Sequence, residues 1–421
     1  MLVDFTVENY GPFKDKTTLS FQATGLSEHE ENLIQTDSKE KILNSLAIFG
    51  ANASGKSYIL RAMNSLVRMM RFPLPASLNV IDYMPFRLSP QTKGAPTRME
   101  MRFIDDGVLY DYSVSYNFKS IISESLYYYP NNQRAKVFLR EKGSYTFGSG
   151  SIATGQKAVS ERVANNSTYI SVAAQFNNSI CLKVINFVSK ILIIFGDMGN
   201  ILNQTIRMMS YDEKLKQDLI MALSVADFCI NDLEGQVKTK NVIDMQDVIP
   251  PQIIGLMMAT GAQKIDETIL NLKHDIATKG LSDEDMTFPY YIESNGTIMM
   301  LSVMGPIIKT LQTGGVIAID EFGSFFHHEI SRWIINLFKS PENKNNAQLI
   351  INTHDQLLMN TEELFRRDQI CFTQKDRGSG ASELYCLSDF SIRKSLDPRK
   401  GYELGRFNAF PFIKGDDWLN V

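Results

Sequence analysis

The chain has 421 residues, of which 44% are hydrophobic and 21% are charged, and its net charge is −4. These values are typical of a folded globular protein with two or three lobes, and they exclude a disordered chain. The acidic balance also argues against a uniformly basic nucleic-acid-binding protein. Local basic clusters at residues 366–369 and 391–406 leave nucleic-acid binding open without indicating it.

The sequence predicts neither a membrane span nor an export signal, so we expect a cytoplasmic protein. The most apolar run, residues 184–202, is interrupted by Lys190 and Asp197. The cysteines are far apart in the sequence and include no C-x-x-C pair, which predicts reduced thiols rather than a zinc site or a disulfide framework. They are Cys181, Cys229, Cys371 and Cys386.

The first elements are predicted to be a hairpin, a strand and a helix. Residues 1–24 alternate apolar with polar around the turn "ENYGPFKD", which indicates a β-hairpin. Residues 46–60, "LAIFGANASGKSYIL", then place G-x-x-x-x-G-K-S between a buried strand and a helix. This context predicts a P-loop, or Walker A motif, because its glycines let backbone N–H groups converge on phosphates at a helix N-terminus.

The P-loop predicts a site for ATP and Mg²⁺. Lys56 is expected to reach the β- and γ-phosphates, and the Ser57 hydroxyl is expected to bind the metal. The predicted nucleotide-binding residues of this loop are Gly50, Asn52, Ala53, Ser54, Gly55, Lys56 and Ser57.

An antiparallel β-lobe and a helical insertion are predicted next. Residues 84–147 contain strand-like runs separated by D-D-G, P-N-N and K-G turns. From about residue 148 to 241 the apolar residues are spaced three and four apart, and a further helical run is predicted up to Lys279. We therefore divide the chain into 1–147 with the P-loop and β-lobe, a helical arm at 148–280, and a C-terminal part of the nucleotide fold at 281–421.

The C-terminal part contains two strand ends with polar residues. "VIAIDE" ends in Asp320 and Glu321, an arrangement typical of a Walker B motif. Asp320 is expected to hold Mg²⁺ through water, and Glu321 to act as the general base for the attacking water. "LIINTHD" ends a second strand, and its His354 is predicted to contact the γ-phosphate.

The order of these motifs resembles that of ABC-type ATPases of the SMC and RecF kind. Before Walker B, "ESNGT" opens a helix at the position of the signature motif. The resemblance implies an α/β fold, an ABC/SMC-type P-loop NTPase head, in which Ser294 and Gly296 bind the nucleotide of a second subunit, as a homodimer or larger homo-oligomer. The Q-loop glutamine of that family has two candidates here, Gln91 and Gln133.

A closer resemblance is to the RloA/AbiLi group of bacterial ATP-binding proteins. It is carried, in order, by "FTVENYGPF", "GANASGKS", "IDEFGSFFHHE", "NTHDQLL", "LFRRDQICFTQKD", "ELYCLSDF" and "KGYELGRFNAFP". That group is associated with restriction loci and phage defence, with relatives in PARIS, Septu and OLD-type systems. The segment after Asp355 is too short for a Toprim nuclease, so the resemblance implies a defence ATPase acting with a separate, nuclease-like effector.

Three other functions stay open at this point. The first is a DNA-repair ATPase that itself clamps DNA, and the second is a scaffold that binds ATP without hydrolysing it. Glu321 disfavours the scaffold because a general base is present. A transporter ATPase is the least favoured, since the long insertion and the divergent signature both depart from that class.

Overall fold

The protein forms two compact units. The first consists of Met1–Ile194 and Thr310–Val421, and the second of Phe195–Lys309. A computed structural model describes residues 1–36, 40–74, 80–149, 155–196, 198–226, 228–245, 251–259, 264–275, 282, 286–324, 326–391 and 397–410. Within these residues, no helix combines the length and apolar character needed to cross a membrane.

The first unit begins with short strands that lead to the P-loop helix. These elements are β1 (Leu2–Glu8), β2 (Thr17–Ser20), β3 (Leu33–Ile34), β4 (Ile42–Leu43), β5 (Ser45–Gly50) and helix α1 (Lys56–Arg71). Every residue of β5 is buried. This burial is typical of a strand at the centre of a parallel sheet, covered on both faces.

The β-lobe is antiparallel, as the sequence predicts, and its sheet has seven strands. Its other strands are β6 (Thr97–Asp105), β7 (Val108–Tyr116), β8 (Ile121–Tyr128), β9 (Ala135–Glu141) and β10 (Ser144–Phe147). The strand order is β10-β9-β8-β7-β6-β1-β2, so the N-terminal hairpin belongs to the same sheet. Buried residues alternate with more exposed ones along β6 and β7, because one face packs on the core and the other faces solvent.

Three helices and one strand complete the N-terminal half of this unit. They are α2 (Gln156–Ser160), α3 (Tyr169–Gln175), α4 (Ser179–Val188) and β11 (Ile191–Ile194). Phe187 of α4 stacks on Phe103 of β6, with ring centroids 4.1 Å apart. The helical prediction is wrong for β11, because this apolar run pairs in parallel with the Walker B strand, and a short apolar run does not distinguish a helix from a buried strand.

The second unit combines helices with a three-stranded sheet. In chain order its elements are α5 (Met198–Tyr211), α6 (Glu213–Val225), β12 (Ile230–Asn241), α7 (Pro251–Ala259), β13 (Lys264–His274), β14 (Thr287–Pro289) and α8 (Asn295–Thr313), whose last turn belongs to the first unit. The sheet order is β12-β13-β14.

The prediction of helix is therefore wrong for β12 and β13. Leu270 and Leu272 are buried on either side of a half-buried Asn271, which is a period of two rather than of three to four. The predicted end of the helical run at Lys279 lies outside the described residues. The three-part division at 147 and 280 stays a prediction.

The chain returns to the first unit with the strands that carry the Walker B and histidine motifs. These elements are β15 (Val316–Ile319), α9 (His328–Lys339), β16 (Gln348–Asn352), β17 (Ile370–Lys375), β18 (Ser382–Cys386) and α10 (Pro398–Glu403). The second sheet has the order β11-β15-β16-β5-β17-β18, parallel except for β18. The carboxyl ends of β15, β16 and β5 therefore lie at one edge, where α/β sheets bind ligands.

Cys371 and Cys386 are joined by a disulfide, which corrects the prediction of reduced cysteines for this pair. The two residues lie directly opposite each other on β17 and β18. The sequence separation of the two cysteines does not predict this pairing, because it is the register of the β17–β18 hairpin that places them opposite each other. Cys181 is buried and Cys229 is exposed, and both are free thiols.

Candidate functional site

The P-loop follows β5 and depends on glycine at both of its ends. Gly50 has φ +153°, and a Cβ atom there would lie 2.5 Å from the carbonyl oxygen of Thr373. Gly55 precedes α1 with φ +115°, and Ala53 also has a positive φ of 60°. The hydroxyls of Ser54 and Thr373 are hydrogen-bonded at 2.6 Å, which attaches the loop to β17. The backbone of the P-loop therefore folds back on itself, and the hydrogen bond between Ser54 and Thr373 holds it against β17.

Lys56 is folded into the loop. Its Nζ donates to the carbonyl oxygens of Gly50 at 2.7 Å and Ala51 at 3.0 Å. Burial lowers the pKa of Lys56 from 10.5 to about 8, although the negative charges of Asp320 and Glu321 act in the opposite direction. The ammonium group is therefore short of anionic partners and is suited to meet added negative charge.

Ser57 and Asp320 meet across the sheet edge. The Ser57 hydroxyl donates to Oδ1 of Asp320 at 3.1 Å, and the side-chain amide of Asn352 donates to the same oxygen at 3.0 Å. Within the described residues, no cluster of three or more His, Cys, Asp or Glu side chains forms a metal site. A hydroxyl with one carboxylate is the donor set that suits Mg²⁺ bound mainly by phosphates and water.

Glu321 lies in a turn with unusual backbone geometry. Its φ is +55°, a left-handed conformation that non-glycine residues seldom adopt and that is often found at functional sites. The turn is fixed by two hydrogen bonds, from Phe322 N to Asn352 O at 2.8 Å and from the Thr353 hydroxyl to Phe322 O at 2.7 Å. The Glu321 side chain is exposed to a cavity that the P-loop also lines.

These side chains line one cavity of about 700 Å³ in the first unit. The predicted residues in its wall are Asn52, Ala53, Ser54, Gly55, Lys56, Ser57, Asp320, Glu321 and His354. Gly50 contributes its carbonyl to Lys56 but is not part of the wall. Partial burial and the charge of Lys56 lower the pKa of His354, which keeps its imidazole neutral at pH 7.

The predicted signature residues lie in the second unit. Ser294 precedes α8, and its hydroxyl accepts a hydrogen bond from Thr297 N at 3.1 Å. Ser294 and Asn295 are exposed, and Gly296 is half-buried. Ser294 thus caps the helix at its first turn, where free N–H groups favour an anion. Neither Gln91 nor Gln133 lines the cavity of the first unit, so neither is supported as a Q-loop residue.

Sequence reasoning missed several cavity residues. Asn352 follows the apolar run Leu349–Ile351, and that change to a polar residue is a signal that could have identified it. Arg61, Arg87 and Lys375 add positive charge to the wall. No local pattern identifies Lys375, since it reaches the cavity only because β17 pairs with β5.

A family model described as "AAA domain, putative AbiEii toxin, Type IV TA system" matches residues 45–190 and 236–360, more than half of the chain. The chain belongs to this AAA domain family. Its α/β fold, with a P-loop on a mostly parallel sheet and a separate antiparallel β-lobe, confirms the α/β fold class predicted from the sequence. As a member, it contains an AAA domain that includes the P-loop and the Walker B strand.

The AAA protein is also similar to several solved structures. One is an SMC head domain from Thermotoga maritima, with 13% identity and a TM-score of 0.42, covering 91% of this chain and 98% of that one. Another, from Pyrococcus furiosus, is an SMC head bound to the C-terminal domain of ScpA, with 12% identity, coverage of 97% and 99%, and a TM-score of 0.41. The recombination mediator RecF has 12% identity, coverage of 91% and 98%, and a TM-score of 0.39. None of the curated proteins matches the chain.

Proposed function

We propose that this AAA protein binds ATP with Mg²⁺, hydrolyses the ATP, and uses the cycle to control a separate effector in bacterial defence against phage. The single observation that carries the enzymatic part is the convergence of Lys56, Ser57, Asp320 and Glu321 on one cavity. A phosphate loop, a metal-binding pair and an exposed carboxylate are the parts that nucleoside triphosphate hydrolysis needs.

The residues of the cavity fit a magnesium ion. Ser57 Oγ and Asp320 Oδ1 are oxygen donors 3.1 Å apart, and Oδ1 of Asn352 is buried nearby without a partner among the described residues. Mg²⁺ prefers oxygen ligands and retains several waters, which such a partly polar wall can accommodate. When bound, the metal would neutralise negative charge on the β- and γ-phosphates.

The protein side chains would each have a distinct task. Lys56 exchanges its two loop carbonyls for phosphate oxygens, and the charge-assisted bonds formed are roughly twice as strong as neutral ones. Glu321, held by the strained turn, accepts the proton of the attacking water. His354, neutral at pH 7, donates a hydrogen bond to the γ-phosphate.

The proposal includes a second subunit. Ser294 and Gly296, at the exposed N-terminus of α8, would contact the γ-phosphate held by the P-loop of a partner copy. A homodimer or larger assembly would then close on ATP and open after hydrolysis. The first unit, which includes β11 next to the Walker B strand, would form the ATPase head, and the second unit would report its state.

The family description and the sequence resemblance support the defence role. The family description names a toxin of a toxin–antitoxin system, and a regulated effector fits such a system. The sequence resemblance to the RloA/AbiLi group points in the same direction. The partner would be a nuclease-like protein encoded nearby, and the site of action would be the cytoplasm.

The test compares Glu321→Gln with Lys56→Ala. Glutamine retains the size of Glu321 but cannot accept a proton, so hydrolysis should fall about 10² to 10⁴-fold while ATP binding survives. Lys56→Ala should abolish ATP binding itself. Binding is measured by calorimetry and turnover by phosphate release, and a phage challenge in cells tests the defence role.

Glu342→Gln is the matched control, because Glu342 is an exposed residue outside the cavity wall. It should leave both binding and turnover unchanged. Wild-type turnover in Glu321→Gln would contradict the proposed general base. Active ATPase without any effect on phage growth would refute the defence role alone.

A further inference from the structure

Asn352 occupies the point where the three parts of the candidate site meet. It is the last residue of β16, which lies between the Walker B strand β15 and the P-loop strand β5. Only 1% of the residue is exposed, although its side chain contributes to the wall of the cavity. A buried polar side chain in this place needs a partner for each of its polar atoms.

The amide nitrogen of Asn352 has both of its donors in use. Nδ2 donates to the main-chain oxygen of Lys56 at 2.8 Å and to Oδ1 of Asp320 at 3.0 Å. Both neighbours are acceptors, so the amide has only one sensible orientation, with its nitrogen toward them. The side chain thus fixes the carboxylate of Asp320 relative to the first turn of α1.

The amide oxygen of Asn352 has no hydrogen-bond partner in the part of the chain that the structure describes. It is a buried acceptor beside Asp320 and Ser57, in the wall of a cavity that is large enough for a nucleotide with water. An acceptor of this kind suits a donor that arrives with the ligand, such as a water molecule.

We propose that Asn352 is a positioning residue for the metal. Its NH₂ group holds Asp320 in the orientation that Mg²⁺ requires, and its free oxygen accepts a hydrogen bond from a water of the metal's hydration shell. The inference rests on the proposed ATP and Mg²⁺ binding, but it does not require hydrolysis. Outer partners of this kind typically change metal affinity by 10 to 100-fold when they are removed.

The test uses the full chain with Mn²⁺ as a spectroscopic substitute for Mg²⁺. Asn352→Leu retains similar size but removes both the donors and the acceptor. Mn²⁺ affinity is measured by electron paramagnetic resonance with a non-hydrolysable ATP analogue, and analogue affinity is measured with EDTA and with Mg²⁺. We expect Mn²⁺ affinity to fall about 10 to 100-fold, while affinity for the analogue in EDTA stays within about threefold of wild type.

Asn44→Leu is the matched control for loss of a buried asparagine. Asn44 is 3% exposed and bonds Ser45 and Gln369 at the opposite edge of the same sheet. This variant should lower thermal stability without changing Mn²⁺ affinity. Asn352→Ala carries the same expectation as the leucine variant and replaces it if that variant does not fold.

Two results would overturn the inference. One is Mn²⁺ affinity within threefold of wild type in a folded Asn352 variant. The other is an equal loss of analogue affinity with and without metal, which would mean that Asn352 only supports the loop. A wild-type protein that binds the analogue and Mn²⁺ but never hydrolyses ATP would refute the proposed enzyme and leave the role of Asn352 standing.

Discussion

The lowered pKa of Lys56 predicts that nucleotide binding takes up a proton at alkaline pH. In the free protein this pKa is about 8, against 10.5 for an ordinary lysine. Well below pH 8 the side chain is charged before and after binding, so affinity should not depend on its titration there. Above pH 8 the free protein holds a neutral amine, and phosphates that restore the pKa toward 10.5 must bring a proton with them.

The size of the expected proton uptake follows from the difference between these two pKa values. If binding restores the ordinary value, uptake through Lys56 is about 0.2 proton at pH 7.5 and about 0.9 proton at pH 9.5. Affinity should then fall roughly 20 to 30-fold between these pH values. The same shift affects folding stability. Because burial disfavours the charged form, the folded protein loses its Lys56 proton near pH 8 and the unfolded chain keeps it up to about pH 10.5, so the ligand-free protein becomes more stable as pH rises between these values.

Calorimetry with ADP in two buffers of different ionisation enthalpy, at pH 7.5 and 9.5, measures the uptake directly. Circular dichroism at both pH values checks that the fold is retained. Lys344→Ala is the matched control, since Lys344 is an exposed lysine outside the cavity wall, and this variant should keep the uptake. Equal affinity at the two pH values with no proton uptake would refute the account of Lys56.

Three further outcomes are expected. Ser294→Arg should retain nucleotide binding but lose hydrolysis. Mixing this variant with Lys56→Ala should restore ATP turnover, because a mixed dimer contains one composite site with an intact P-loop and an intact Ser294. If the dimers exchange subunits and turnover does not recover, the composite site is contradicted. Gly50→Ala should cost about 2–5 kcal/mol in urea unfolding from strain and overlap, whereas Gly25→Ala, with open space around it, should be nearly neutral. Reducing the disulfide between Cys371 and Cys386, which are 15 residues apart, should lower the free energy of unfolding by about 3 kcal/mol, and an unchanged midpoint under reductant would argue against it.

The parts of the site that could be predicted from the sequence are those with local signals. The strand, glycine loop and helix around Lys56 are contiguous, and Asp320 and Glu321 end a single apolar strand. Parallel pairing then brings these ends together at one edge of the sheet, which the alternation of strands and helices already implies. Local sequence patterns and the geometry of a parallel sheet are therefore sufficient to predict that these residues form one site.

The parts that could not be predicted depend on pairing between distant residues. Ile191–Ile194 is a strand only because β15 lies beside it, and its own sequence is equally compatible with a helix. The disulfide depends on the register of β17 against β18. Asn352 lies within "LIINTHD", but its two hydrogen bonds, to Lys56 and Asp320, can be identified only from the three-dimensional structure.

The position of β5 in its sheet has a consequence for how the protein is made. Ala47 pairs with Ile351 on one side and Ile370 on the other, both of which are synthesised roughly 300 residues later. Until then the P-loop strand has two unpaired edges and an apolar sequence, a combination that favours aggregation of nascent chains. The ribosome must therefore synthesise the chain at least as far as β17 before the phosphate loop can acquire its support from Thr373. Newly made chains would thus acquire nucleotide affinity late, and any chain cut short before β17 would lack it.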